Sequence, residues 1–266
     1  MKLFEYQAKN ILADYGIPVP NGRLALSAEE ALEISQNIGQ DVMIKAQILM
    51  GGRGKSGGIR LAKKSQEVEE IASEILEMSL HGFLVNKILV EELINVEREI
   101  YIAITIDREV RQPLLLASSL GGINVEDAIR RSPQSISRAY INPMFGVMDF
   151  QARDVAAGID LPRDLWTSFT NLTQNLWLAF WNCDATLIEI NPLVVSDNKQ
   201  LIALDSKMNL DDNALFRHPD YAAMWHQDAV DPIEIEAHKL GLSYVRMDGN
   251  IGCLVNGLVL RWALWI

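Results

Sequence analysis

The stretch Val42-Met43-Ile44-Lys45-Ala46-Gln47-Ile48, followed by Gly51-Gly52-Arg53-Gly54-Lys55-Ser56-Gly57-Gly58, decides how this chain is read. Its first half is an apolar strand with an ammonium group in the middle, and burying that charge is costly without an anionic partner. Lys45 is therefore either an edge-strand lysine that reaches out to water or a residue that meets an anion. The loop favours the anion. Glycines let backbone N–H groups approach phosphate oxygens closely, and Arg53 and Lys55 bring positive charge to an otherwise acidic chain. The spacing is not that of a Walker A loop. A phosphate-covering loop between two strands is expected, with a flexible glycine-rich linker as the plainer alternative.

Outward from this point the pattern alternates between short helices and strand pairs. Phe4, Ala8, Ile11, Leu12 and Tyr15 recur at helical spacing up to Gly16. Arg23 to Leu26 reads as a short strand, and Ser27 with Glu30 opens a helix that ends at Gly39. The strand containing Lys45 is expected to run from Asp41 to Leu49, with Ile59 to Ala62 returning beside it. Val68, Ile71, Ala72, Ile75 and Leu76 mark a further amphipathic helix.

Ile88–Glu91, Glu99–Asp107 and Pro113–Ser118 read as successive strands; Ile100, Ile102, Ile104 and Ile106 alternate with Tyr101, Ala103 and Thr105. Residues 121–149 read as loop-rich, and Leu165 to Phe180 as a long helix whose tryptophans serve packing. Thr186–Val195 and Gln200–Lys207 are expected to form a hairpin about Ser196-Asp197-Asn198-Lys199, followed by a polar loop over 211–220. A helix is expected around Ile233 to Leu240. The absence of strict βαβ alternation predicts an α+β fold, with a domain boundary near Asp228 to Pro232.

A second chemical cluster lies in that hairpin. Glu189 and Asn191 in Leu187-Ile188-Glu189-Ile190-Asn191-Pro192-Leu193 share one strand face, and Ile202-Ala203-Leu204-Asp205-Ser206-Lys207 returns Asp205 towards them, in a register that spacing leaves open by a residue. A carboxylate and a carboxamide oxygen near phosphates suit Mg²⁺, which keeps waters and takes few protein ligands; a buried hydrogen-bond network is the other reading. Glu91, Glu92 and Glu99 read on composition alone as solvated carboxylates. His81, His218, His226 and His238 stand in no triad or metal spacing and read as structural or surface residues.

Composition bounds the possibilities. The chain has 266 residues, a 49% hydrophobic share and a net charge of −11, which argues against nonspecific nucleic-acid binding. Cys183 and Cys253 stand in no redox or metal spacing, no signal-peptide core opens the chain and no apolar run suffices for a membrane span. A soluble, cytoplasmic protein is the expectation.

Five segments together carry a family resemblance: Phe4-Glu5-Tyr6-Gln7-Ala8-Lys9, Gly51-Gly52-Arg53-Gly54-Lys55, Ile188-Glu189-Ile190-Asn191-Pro192-Leu193, Asp211-Asp212-Asn213-Ala214-Leu215-Phe216-Arg217 and Asp248-Gly249-Asn250-Ile251-Gly252. In order and content the chain resembles the β subunits of succinyl-CoA synthetase (succinate–CoA ligase), with malate–CoA ligases as relatives sharing much of the pattern. The resemblance implies an ATP-grasp fold over residues 1–230, the start of a flavodoxin-like CoA-ligase domain over 231–257, and an aberrant apolar tail over 258–266 where the likeness stops. It implies that Lys45, Gly52, Arg53, Gly54, Glu91, Ile94 and Glu99 bind ATP and that Asn191 and Asp205 hold Mg²⁺. It further implies that Glu189 steadies a phosphohistidine and that Asn256 meets the substrate. Pro20, where GTP-preferring relatives tend to carry glutamine, leans the expectation towards adenine. In the family a histidine of the partner α subunit is phosphorylated by ATP, the phosphoryl group passes to succinate, and CoA displaces it. The expected activity is thus an ADP-forming acid–CoA ligase of the tricarboxylic acid cycle acting with an α subunit, or else a fragment that only binds nucleotide.

Overall fold

The computed structural model describes residues 1–49, 52–63, 65–80, 82–122 and 135–224, together with isolated positions from 233 onward. It divides into two compact units, Met1–Trp225 and His226–Ile266. The predicted helix over 233–240, Asn256 and the apolar tail lie wholly or mostly outside the described residues.

In the first unit, helix α1 (Glu5–Asp14) precedes strand β1 (Gly22–Ala25), helix α2 (Ala28–Ile38), strands β2 (Val42–Ala46) and β3 (Ile59–Ala62), and helix α3 (Ser65–Leu76). A two-residue pair, β4 (Ser79–Leu80) and β5 (Phe83–Leu84), leads into β6 (Ile88–Glu92). Strands β1, β6, β2 and β3 form an antiparallel sheet in that order. Its apolar face carries Ile44, Ala46, Ile88 and Val90 and packs with Ala31, Val68, Ala72 and Ile75 of α2 and α3. Helix α2 begins and ends where capping chemistry predicts. Ser27 Oγ accepts the Glu30 amide, and Gly39 closes the helix in the left-handed conformation.

The second sheet is larger. Strands β7 (Val96–Asp107), β8 (Gln112–Ser118), β9 (Ile136–Tyr140), β10 (Ala185–Ser196), β11 (Leu201–Ala203) and β12 (Ser206–Leu210) run in the order β11-β10-β7-β8-β9, with β12 also paired to β10. Ile100, Ile102, Ile104, Ile188 and Ile190 enter one core with α1, helix α4 (Asp149–Gly158) and helix α5 (Trp166–Asn182), where Phe169, Leu172 and Leu176 are buried. The α+β expectation holds.

Several details differ from the sequence reading. Ile106, the last of the four alternating isoleucines, is 43% exposed because it lies near the strand end, whereas Ile100, Ile102 and Ile104 are buried. The segment read as loop-rich contains β9, which pairs along β8 from Leu114↔Tyr140 to Ser118↔Ile136. The polar loop after residue 211 is a 3₁₀ helix over Asp212–Arg217, capped by the Asp211 carboxylate, and then the short helix α6 (Pro219–Ala222).

Gly22 sits directly opposite Glu91 in the β1–β6 ladder, and a methyl group there would lie 2.5 Å from Glu91 Cβ and 2.7 Å from the Val90 carbonyl oxygen. The neighbour is backbone, so it cannot yield cheaply. Gly22→Ala is expected to destabilise the protein by about 1–3 kcal/mol, the usual cost of overpacking. Urea unfolding checks this, and an unchanged midpoint contradicts the close approach.

Candidate functional site

Lys45 lies on β2, which is flanked by β6 and β3, so the edge-strand reading is overturned. Its face of the sheet also carries Glu91, two residues along β6 from Lys45's partner Leu89. Both side chains are buried and form an ion pair. Helix α1 supplies the next charges. Lys45 Nζ lies 3.3 Å from Glu5 Oε1, while Lys9 Nζ bridges Glu5 at 3.0 Å and Glu91 at 2.6 Å. Glu91, which composition placed on a solvated face, is thus interior.

Arg53 belongs to the same cluster. The glycine-rich loop is the connection of the β2–β3 hairpin, folded back so that the Gly58 amide donates to the Arg53 carbonyl at 2.9 Å. The guanidinium turns inward. Nη1 donates to Glu5 Oε2 at 2.5 Å and to the Ala46 carbonyl at 3.0 Å, and Nη2 donates to both Asp205 oxygens at 2.7 and 2.8 Å. Gly52, Gly54 and Lys55 remain exposed on the loop. Of the two loop cations, one therefore points into the seam and one into solvent.

The hairpin register is settled by the backbone. Leu193 pairs with Ala203 and Ile190 with Ser206, and between these pairs both strands depart from the ladder. The Asn191 amide donates to the Asp205 carbonyl at 3.0 Å and the Leu204 amide to the Pro192 carbonyl at 3.1 Å, placing Asp205 opposite Asn191. The continuous strand expected over 200–207 is thereby broken at 204–205. The break has a use: the Leu204 carbonyl accepts a 2.7 Å hydrogen bond from Lys45 Nζ.

Asn191 Nδ2 donates to Glu189 Oε1 at 3.4 Å, while Asn191 Oδ1 accepts the Gly122 amide at 2.8 Å. Gly122 has φ +69° and lies so close to Glu99 that a methyl group there would sit 2.3 Å from Glu99 Oε2. Glu99 thus joins the Asn191 side of the site. Ile94 is half-buried in the connection between β6 and β7, where the chain passes from one sheet to the other.

The electrostatics follow from burial set against charge. Burial would raise the Glu5 carboxyl, but Lys45, Lys9 and Arg53 outweigh it and hold the group well below the ordinary carboxylate range. Burial works against charge on Lys45 too, yet Glu5, Glu91 and Asp205 raise it above its usual value. Asp205 goes the other way: burial and the Glu5 charge lift it, with Arg53, Lys45 and Lys9 only partly opposing. Three carboxylates (Glu5, Glu91, Asp205) face three cations (Lys9, Lys45, Arg53), so the cluster balances.

Beside it opens a cavity of about 550 Å³ that touches Tyr6, Lys9, Pro20, Arg23 and Glu91. Its size falls within the range of small-molecule sites. The Asp205 carboxylate, 30% exposed, and the Asn191 carboxamide, brought together by the backbone bond from Asn191 to Asp205, are hard oxygen donors, the type Mg²⁺ takes one or two of while keeping water and phosphate oxygens. Those residues fit the ion. Among the described residues no cluster of three or more His, Cys, Asp or Glu side chains is arranged to hold a metal ion, and no helix is long and apolar enough to cross a membrane. His218 pairs with Asp184, away from the cluster; His81, His226 and His238 lie outside the described residues.

Sequence reasoning assigned no role to Glu5, Lys9 or Gln47. A usable signal existed. Glu5 and Lys9 are four residues apart on α1, beside the buried positions Ala8 and Leu12, so charges stood on the flank of a core-facing stripe.

The family profile for the ATP-grasp domain matches residues 2–195. The succinate–CoA ligase (ADP-forming) subunit beta of Roseiflexus sp. (strain RS-1) is 47% identical, over 99% of this chain and 70% of that protein. Its counterpart from Aquifex aeolicus (strain VF5) is 42% identical, over 99% of this chain and 69% of that protein. Among solved structures, the dinucleotide forming acetyl-coenzyme A synthetase 1 of Ca. Korarchaeum cryptofilum superposes with a TM-score of 0.66 at 22% identity, covering 79% of this chain and 93% of that one. ATP citrate lyase from Methanothrix soehngenii gives 0.66 at 20% identity, covering 90% and 59%. These last two likenesses are of fold. With the family profile spanning most of the first unit and close relatives aligned along nearly the whole chain, the protein belongs to the ATP-grasp family and, within it, to the β subunits of ADP-forming succinate–CoA ligase.

Proposed function

We propose that the chain binds Mg-ATP in the seam between its two sheets and passes phosphoryl groups to and from a histidine of an α subunit, so that the pair makes succinyl-CoA from succinate and CoA. The observation that carries this reading is the convergence of Lys45, Arg53 and Asp205 from three separate segments onto one buried point beside an open cavity.

In this reading the residues divide the labour. The nucleoside end of ATP occupies the cavity beside Glu91 and Pro20, with Glu91 and the Ile94 backbone as polar partners, while Glu99 meets the nucleotide from the Asn191 side. Lys45 and the Gly52-Arg53-Gly54 turn meet the phosphates. Asn191 and Asp205 would hold Mg²⁺, which when bound would supply charge neutralisation at the phosphate oxygens. Phosphoryl transfer of this kind needs positioning and charge neutralisation more than a covalent group from this chain. Glu189, next to Asn191, faces the incoming phosphohistidine and steadies its imidazole. Asn256 would meet the substrate from a second domain that begins after about residue 230. A cytoplasmic setting suits two cysteines without disulfide spacing.

The test combines the chain with an α subunit of this ligase family, CoA and Mg-ATP. Acid-dependent thioester formation with succinate, together with ADP release and phosphate on the α-subunit histidine, is the expected outcome. Turnover with malate in place of succinate assigns the chain to the malate–CoA ligases. Nucleotide binding without thioester from either acid leaves only the binding function.

A further inference from the structure

We infer that Glu5 is a positioning residue that holds Lys45 and Arg53 in the arrangement in which they meet the phosphates of a nucleotide. This rests on the nucleotide reading above and adds a residue to it. The Glu5 side chain is buried, on the first turn of α1. Its two oxygens receive four donors: Lys9 at 3.0 Å and Lys45 at 3.3 Å on Oε1, Arg53 at 2.5 Å and Gln47 at 3.1 Å on Oε2. That fills the acceptor sites an ionised carboxylate offers.

The partners of each cation divide into a fixed and an exchangeable side. Arg53 keeps Nη1 on Glu5 and the Ala46 carbonyl, both in the interior, while Nη2 reaches Asp205, whose side chain is 30% exposed. An incoming phosphate can compete for Nη2 without disturbing Nη1. Lys45 is held in the same way, by Glu5 and Glu91 from the buried side, with its bond to the Leu204 carbonyl facing the seam. Helix α1 is a rigid mount for this carboxylate, because Ala8, Ile11 and Leu12 anchor it in the large core. A carboxylate so placed fixes where two cations point, and fixed cations bind phosphate with less ordering cost.

The decisive variant is Glu5→Asp, which keeps the charge balance and withdraws the carboxylate by one methylene. Calorimetric titration with Mg-ATP, paired with NMR titration by adenosine, reads the effect. Mg-ATP affinity is expected to fall tenfold or more while adenosine, which has no phosphate, binds as it does to the parent. A purely structural role would move both ligands or neither, and either pattern overturns the inference. If Glu5→Asp does not fold, Glu5→Gln keeps the length but turns one acceptor into a donor facing the cations, and carries the same expectation. Failure of both variants to fold at saturating Mg-ATP makes Glu5 a folding residue and overturns the inference as well. Lys45→Met separates the two levels. Loss of Mg-ATP binding in Lys45→Met but not in Glu5→Asp sinks only the role of Glu5, whereas parental binding in both variants sinks the placement of the phosphates at Lys45 and with it the inference.

Discussion

Lys45→Met is expected to weaken Mg-ATP binding roughly a hundredfold, equivalent to about 2.7 kcal/mol, and to destabilise the unliganded protein by about 3–5 kcal/mol. Both effects come from one ammonium group. In the unliganded protein it neutralises Glu91 and Glu5, two buried carboxylates that would otherwise share only Lys9 and Arg53. Methionine fills the space of the aliphatic stem but leaves an uncompensated buried charge. With nucleotide present, the loss is that of a fixed cation on the phosphates. Calorimetry and urea unfolding read the two parts separately. Parental affinity in a destabilised variant would mean that Lys45 serves the fold alone.

Asp205→Asn has a more selective signature. The Asp205 carboxylate is both the partner of Arg53 Nη2 and the charged member of the proposed Mg²⁺ pair. Replacing it with an amide removes the charge while keeping the shape. With Mg²⁺ present, ATP affinity is expected to fall at least tenfold, because the ion loses its carboxylate ligand. With the metal chelated, ATP affinity is expected to hold or rise, because Arg53 no longer has a competing carboxylate. Titrations with and without chelator therefore diverge in this variant. A parallel loss under both conditions would contradict the metal assignment and leave Asp205 as an anchor for Arg53.

How legible these features were in the sequence varies with how local their causes are. The β3 boundaries and the Ser27 and Gly39 caps were readable because strand patterning and capping depend on adjacent residues. Lys45 and Arg53 could be chosen as cation candidates, since charge beside an apolar strand and a glycine loop is visible in one dimension. Their environment could not be read. Whether β2 is an edge or an inner strand depends on which strands β1 and β6 choose as partners, and the sequence pattern of β2 alone is silent on that choice. The interruption at Leu204 and Asp205 was missed for a similar reason. It coincides with a hydrogen bond from the Lys45 ammonium, 159 positions away, and with an irregular opposite strand at Asn191 and Pro192. Glu5 stands in a segment that carries the family resemblance, but its role is not legible there, because its partners lie on strands and loops that meet α1 only once the fold is closed. The β9 strand was hidden in a polar stretch, Ile136-Ser137-Arg138-Ala139-Tyr140, with too little apolar alternation to stand out.

The most direct measurement is a crystal structure of the protein with Mg²⁺ and a non-hydrolysable ATP analogue. The expected result places phosphate oxygens at about 2.7–3.2 Å from Lys45 Nζ and Arg53 Nη2. The Arg53–Asp205 pair is opened, the metal lies on Asp205 and Asn191, and the base sits in the cavity beside Glu91 and Pro20. A nucleotide bound elsewhere, with the Lys45–Glu91 and Arg53–Asp205 pairs intact, would contradict the assignment of this seam as the phosphate site.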